Sequence, residues 1–200
     1  MKRSTASILT THVGSLPAPG GLDPHAPDYE QRLRIAVANI VRRQANAGID
    51  IVNDGELSKG HWLAYLDSRL GGFEQKAVPD SFLPVMLQGK DRADFPGYYE
   101  EASRLGTLFY SSGYQTSSPS SSPTRSVCTA PIVYTGQKLV SRDVENLTRA
   151  IDEVAVREAF LPVTAVASIE PYRFNEYYST ETQFVYALAR SEERRVGKEC

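Results

Sequence analysis

The residues best suited to chemistry lie in two short loops. The first reads Thr10-Thr11-His12-Val13-Gly14-Ser15-Leu16-Pro17 and the second Asn53-Asp54-Gly55-Glu56. In the first, a glycine followed by a serine lets the backbone approach a ligand closely, with its N–H groups and the Ser15 hydroxyl left to bond a carboxylate. In the second, carboxylates at the C-terminal end of a strand can hold a ligand ammonium, orient a thiol or coordinate a metal, and Gly55 lets the two side chains diverge. A plain strand-to-loop turn and a solvated acidic turn have the same local compositions. His12 adjoins the glycine loop and reads either as a donor or as a hydrogen-bonded packing residue.

The remaining reactive residue types read as structural. Cys128 and Cys200 are the only cysteines and have no CxxC partner, so neither a disulfide framework nor a cysteine-based zinc cluster follows from spacing. His12, His25 and His61 are the only histidines, without His-x-His or HExxH spacing. Cys128, in an apolar stretch, is expected to be a small buried hydrophobe, and Trp62 a core residue beside His61. Glu170 reads as a loop carboxylate. Tyr172, Tyr177 and Tyr178, with Asn175-Glu176, either rim a pocket or pack a loop.

Both loops must be held by regular elements. Ser7–Thr11 is short and β-branched and predicts a strand that ends in the first loop. From Tyr29 to Ala47 the apolar residues Leu33, Val37, Ile40 and Val41 recur at helical spacing, with Arg32, Arg34, Arg42, Arg43 and Gln44 for the wet side and Gly48 to end the helix. Ile49–Asn53 then predicts a brief strand feeding the second loop. Strand, helix, strand is the α/β alternation. Ser58 is expected to cap a helix carrying Leu63, Leu66 and Leu70 on one face, stopped by Gly71-Gly72. A short helix is expected over Tyr98–Leu105, a strand over Val127–Tyr134, and a helix with Val144, Leu147 and Ile151 behind Ser141 as N-cap. Val163–Ile169 reads as an inner strand. Thr180 and Gln183 have capping-box spacing ahead of a helix bearing Phe184 and Leu188. Residues 111–126, rich in serine and proline, read as a flexible excursion.

Composition narrows the class. The chain has 200 residues, 41% hydrophobic and 23% charged, enough for an ordinary core, whereas a complete eight-stranded α/β barrel typically needs about 250 residues. Twenty-two basic against 24 acidic residues give a net charge of -2, which argues against a broad nucleic-acid or anionic-lipid footprint. No apolar run reaches signal-peptide or membrane-span length, so a cytoplasmic protein with small-molecule partners is expected, with neither nucleic acid nor membrane as partner.

Taken together, Thr11–Pro17, then Ala47–Glu56, then Cys128–Tyr134 resemble, in that order, the C-terminal catalytic barrel of cobalamin-independent methionine synthase, and more closely its short, single-barrel relatives. The resemblance covers most of residues 6–189. It implies the N-terminal half of a (β/α)8 TIM barrel of the methionine synthase/uroporphyrinogen decarboxylase-like type. It also implies an S-methyltransferase of methionine biosynthesis that moves a methyl group from a methyltetrahydrofolate to the thiol of homocysteine, with zinc holding the sulfur as thiolate. By position, Val13, Gly14 and Ser15 would bind the amino-acid part of homocysteine and Glu56 its ammonium, with His12 and Asp54 behind them. Asp54 stands where the longer enzymes commonly have histidine, and Ala130 replaces the glycine of a Gly-Pro segment near the folate pocket.

The family's zinc ligands are a His-x-Cys pair, a glutamate and a further cysteine in the second half of the barrel. This sequence has no histidine after His61, so zinc is expected for a full-length parent and not at that site in this chain. Residues 1–189 are accordingly expected to be a partial, catalytically incomplete barrel, and residues 190–200 a foreign tail. The alternatives are a zinc-dependent alkyl transfer onto another thiol and a noncatalytic binding module.

Overall fold

Leu33, Ala36, Val37, Ile40 and Val41 fall on one side of a single helix and are buried there, the four larger side chains each contributing roughly 1.5–3 kcal/mol through the apolar surface they remove from water. The computed structural model in which they are seen describes residues 4–59, 62–77, 89–104, 124–170 and 173–196. Its elements in chain order are α1 (Tyr29–Asn46), β1 (Ile51–Asn53), α2 (Trp62–Asp67), β2 (Leu70–Ala77), α3 (Lys90–Asp94), α4 (Pro96–Arg104), β3 (Thr124–Tyr134), α5 (Gln137–Ile151), β4 (Glu158–Phe160), α6 (Val166–Ile169), β5 (Arg173–Asn175) and α7 (Glu181–Val196). The chain divides into two compact units, one taking the residues up to Arg69 with Gly136–Thr164, the other Leu70–Thr135 with the residues from Ala165 onward.

In the first unit α1 packs against α5, whose Leu147 and Ala150 join the α1 stripe, Val52 and Leu57 in one core. Gly48, at φ 81°, takes the left-handed position that ends α1 and turns the chain into β1. β1 pairs in parallel with β4, Ile51 opposite Glu158 and Asn53 opposite Phe160, and Thr11 makes a parallel bridge to Ile51. Helix-connected parallel strands make this an α/β fold. Among the described residues the sheets are small, of two and three strands, and do not close into a barrel.

The second unit is a three-stranded sheet in the order β2-β3-β5, antiparallel then parallel. Phe184 and Leu188 bury one face of α7, and Thr180 caps that helix by accepting from the Gln183 N–H at 3.2 Å, as the spacing predicts. α7 runs through Ala189 to Val196, and Ser191 is buried with its hydroxyl donated to the Leu188 carbonyl at 2.6 Å. No helix among the described residues is long and apolar enough to cross a membrane.

Several sequence expectations are corrected. Ser7–Thr11 is not a strand: only Thr11 bridges to Ile51, because Thr10 instead gives its N–H and hydroxyl to the Asp50 carboxylate, at 2.9 and 3.1 Å. The strand expected at Val163–Ile169 lies earlier, at β4, and Val166–Ile169 is the helix α6, since small apolar residues fit either state. Gly71-Gly72 do not stop a helix. They sit inside β2 at a β-bulge, and Leu70 begins that strand. α5 starts at Gln137 after Gly136, which places Ser141 inside it. Thr124–Ser126, assigned to the serine-rich excursion, belong to β3. Residues 111–123, the side chain of Trp62, His61 and Tyr172 lie outside what is described.

Gln44 is the most consequential correction. Assigned to the wet side, it is 4% exposed, because it follows Ile40 by four residues and so continues the buried stripe. Its side chain accepts from the Asn53 N–H at 3.1 Å and donates to the Asn53 carbonyl at 2.8 Å, locking β1 onto α1. Gln44→Met keeps the volume and removes both bonds, leaving a buried N–H and C=O unpaired, each at about 1–3 kcal/mol. Urea unfolding should show a loss of about 2–4 kcal/mol together with faster hydrogen exchange at the Asn53 amide; a change under 0.5 kcal/mol, roughly that of a surface substitution, contradicts the lock.

Candidate functional site

The two chemical loops meet beyond the C-terminal end of β1. Asn53, the last residue of that strand, donates from its side-chain amide to the His12 carbonyl at 2.6 Å and accepts the Gly55 N–H at 2.8 Å, so one buried side chain ties the first loop to the second. The Leu16 N–H donates to the Gly55 carbonyl at 2.9 Å and completes the tie. Gly55 has φ 68°, and a Cβ there would stand 3.2 Å from Ile40 of the core helix. Glycine is thus required twice at this position, by its backbone and by the space behind it.

Glu56 has φ 57° and is the one non-glycine residue with positive φ among the described residues. A left-handed conformation costs a side-chain-bearing residue roughly 1–2 kcal/mol and persists where surroundings impose it, which is common at functional sites. The imposing contacts are visible. The Glu56 N–H donates to the Asp54 carboxylate at 3.0 Å and the Glu56 carbonyl accepts the Lys59 N–H at 2.9 Å. The result aims the carboxylate at the first loop, where the Ser15 hydroxyl donates to it at 2.7 Å.

Of the residues picked from sequence, Ser15 and Glu56 are therefore in direct contact. Gly14 lies beside them at φ 109°, and His12 reaches back to donate from Nε2 to the Gly14 carbonyl at 2.9 Å, a bond that shapes the glycine turn. Val13 is 71% exposed. Asp54 is buried beneath the loop at 2% exposure.

Lys59 is the residue that sequence reasoning passed over. Its side chain is 6% exposed, its ammonium lies 3.7 Å from the Glu56 carboxylate, donates to the Pro162 carbonyl at 2.5 Å, and stands 5.0 Å from the centre of the Tyr65 ring. Pro162 follows β4, so the lysine links the loops after two paired parallel strands. Its signal in sequence was the spacing Glu56 to Lys59, which brings the two side chains together across one turn.

Elsewhere, Arg69 and Asp143 form a buried pair at 2.7 Å within the first unit, and Arg69 stacks on Tyr65 at 3.8 Å. In the second unit Cys128 is fully buried, its thiol donating to the Ala130 carbonyl at 3.3 Å and pushed above the ordinary thiol range by burial, as expected of an inert packing residue. A cavity of about 460 Å³ there is lined by Ile132, Tyr134, Tyr178, Gln183, Tyr186 and Arg190, so of the three tyrosines singled out Tyr178 reaches a pocket. Among the described residues no three His, Cys, Asp or Glu side chains converge to hold a metal ion.

Burial raises the Asp54 carboxyl above its ordinary 3.8, with Lys59 and the Glu56 N–H pulling the other way. A pKa raised by folding favours the fold below the ordinary value, and that contribution is lost as pH climbs through the raised one. Asp54→Asn keeps an acceptor for the Glu56 N–H and cannot ionise. In urea unfolding its stability relative to the unaltered chain should increase steadily above about pH 4. A difference constant from about pH 4 to pH 8 shows that Asp54 ionises without penalty.

No family model matches the chain. Curated relatives do: it is similar to the methionine synthase of Thermococcus kodakarensis, 25% identical over 163 residues covering 82% of this chain and 37% of that protein. The Pyrococcus furiosus methionine synthase is 26% identical over 162 residues, 81% of this chain and 36% of the relative, and that of Sulfolobus acidocaldarius 22% over 193 residues, 92% and 45%. The chain thus spans less than half the length of these curated relatives. Its fold resembles a B12-independent methionine synthase from Shewanella solved in complex with selenomethionine, with a TM-score of 0.62 at 15% identity over 94% of this chain and 47% of that one. The chain is thus similar in sequence to part of several methionine synthases, and in fold to part of a B12-independent one.

Proposed function

We propose that this chain carries the amino-acid-binding loops of a methionine-synthase-like S-methyltransferase, and that the ligand they hold is homocysteine. The Gly14-Ser15 turn receives the α-carboxylate through backbone N–H groups and through the Ser15 hydroxyl, whose one proton turns from Glu56 to the ligand, with Val13 flanking it, and Glu56 receives the α-ammonium in exchange. The observation that carries this reading is the 2.7 Å contact between Ser15 and Glu56, which brings a carboxylate-binding turn and a carboxylate to one place. An α-amino acid presents its two charges on one carbon, so its recognition needs a donor set and an acceptor side by side. The selenomethionine held by the Shewanella relative belongs to the same ligand class.

The wider fold reading goes with it. The parallel bridge from Thr11 to Ile51, the parallel pairing of β1 with β4, and the helices α1 and α5 support these as the first strands of a (β/α)8 barrel, whose ligands gather at the C-terminal ends of strands. His12 and Asp54 act behind the ligand, the first by shaping the turn and the second by holding the Glu56 backbone. Zinc is a different matter. The sequence lacks a His-x-Cys pair, and the described residues bring no three metal-ligating side chains together, so the residues present do not fit that metal and no step is routed through it. What the chain's own residues do is bind and orient the amino-acid end of the thiol. The methyl donor, a methyltetrahydrofolate in the reading from resemblance, meets no residue identified in these two loops.

Calorimetric titration of the full chain with L-homocysteine tests the proposal. Saturable binding with one site is expected. Glu56→Gln should weaken it about 10- to 100-fold, because a charge-assisted hydrogen bond is lost, and Ser15→Ala about 3- to 10-fold for a neutral one. Absence of binding, or equal binding by the Glu56→Gln chain, overturns the assignment.

A further inference from the structure

Glu56 does not stand alone: a second, opposite charge is built in behind it. The Lys59 ammonium is 3.7 Å from the Glu56 carboxylate, and the two side chains are only 6% and 17% exposed, so water screens the pair little. The ammonium is fixed from two further sides, by its bond to the Pro162 carbonyl and by the face of Tyr65. It is therefore held in place behind Glu56, not a surface lysine free to swing away.

We propose that Lys59 is a specificity-determining residue that cancels the charge of Glu56 and so selects a zwitterionic thiol over a purely cationic one. The inference rests on the reading of Glu56 as the ammonium acceptor. A ligand ammonium bonded to Glu56 must sit within several ångströms of the Lys59 ammonium, and like charges at that distance in a poorly screened site repel appreciably. An α-amino acid offsets this repulsion because its own carboxylate, bound at the Gly14-Ser15 turn, is drawn to the same lysine. An amine lacking that carboxylate meets the repulsion with nothing to offset it. Asp54 fits the same scheme, since burial raises its carboxyl and disfavours a further negative charge beneath the loop.

The test compares two thiols on the full chain by calorimetry: L-homocysteine, and 3-aminopropane-1-thiol, which is homocysteine without its carboxylate. Each is titrated into the unaltered chain, into Lys59→Gln, which keeps a donor for the Pro162 carbonyl and removes the charge, and into Lys59→Arg, which keeps the charge. The unaltered chain and Lys59→Arg should both bind the amine at least about tenfold more weakly than homocysteine, and Lys59→Gln should bind the amine at least about tenfold more tightly than the unaltered chain does. A merely structural lysine would weaken both ligands together and leave their ratio unmoved, which overturns the proposal. So does equal affinity of the unaltered chain for the two thiols, a comparison that needs no variant to fold. If the unaltered chain binds neither thiol, the homocysteine reading fails, and the lysine is judged separately: new amine binding in Lys59→Gln upholds its role as a cation filter, and continued absence of binding overturns it.

Discussion

Asn53 is wholly buried, and both its backbone groups and both its side-chain polar atoms are bonded within the chain. Its backbone is clamped by Gln44 of α1, and its side chain joins the His12 carbonyl to the Gly55 N–H. A buried amide left without these partners would cost several kcal/mol, so helix, strand and both loops can adopt only the arrangement that satisfies it. The apolar stripe of α1 supplies the driving force for packing, but it does not set a register: leucine, valine and isoleucine tolerate small slides. The directional bonds of Gln44 and Asn53 do not, and the placement of the site depends on them.

From that fixed point the strained geometry at Glu56 follows. Asn53 accepts the N–H of Gly55, itself left-handed, Asp54 accepts the next N–H, and the chain runs on through a second left-handed residue. Glycine would adopt it at no steric cost, yet glutamate stands there. The strain of roughly 1–2 kcal/mol is offset by the Ser15 hydroxyl and the Lys59 ammonium, both of which engage the carboxylate itself. The groups that hold the carboxylate in a costly position would, under the proposed reading, also set what it can bind.

Much of this was legible from residues alone, and the boundary between what was and was not is physical. The Thr10–Pro17 and Asn53–Glu56 loops were visible by their glycine, serine and paired carboxylates, a composition that plain turns share, and α1, β1, α4, β3 and α7 followed from periodicity and caps. Short strands were not legible: β4 is only three residues long, and its place in the sheet is set by pairing with β1 across more than 100 positions, which no local pattern encodes. Gln44 was misplaced by residue type, although its spacing from Ile40 already put it on the buried face. Lys59 was missed for the same reason. Polar residues are read as solvent-facing by default, and a buried polar residue is visible only when its partner, here Glu56 or Asn53, is considered with it.

The same pairing logic distinguishes the two carboxylates of the second loop. Asp54 and Glu56 are two residues apart and both acidic, but their environments separate them. Asp54 is enclosed, which disfavours its charge, while Glu56 lies against the Ser15 hydroxyl and the Lys59 ammonium. One carboxyl braces the Glu56 backbone, and the other meets the lysine. In sequence the loop looks acidic. In the fold the Lys59 ammonium stands 3.7 Å from one of its two carboxylates, that of Glu56. Under the proposed reading, a ligand with both signs of charge on one carbon would leave neither Glu56 nor Lys59 without an opposite charge, which is the condition any buried charge must satisfy.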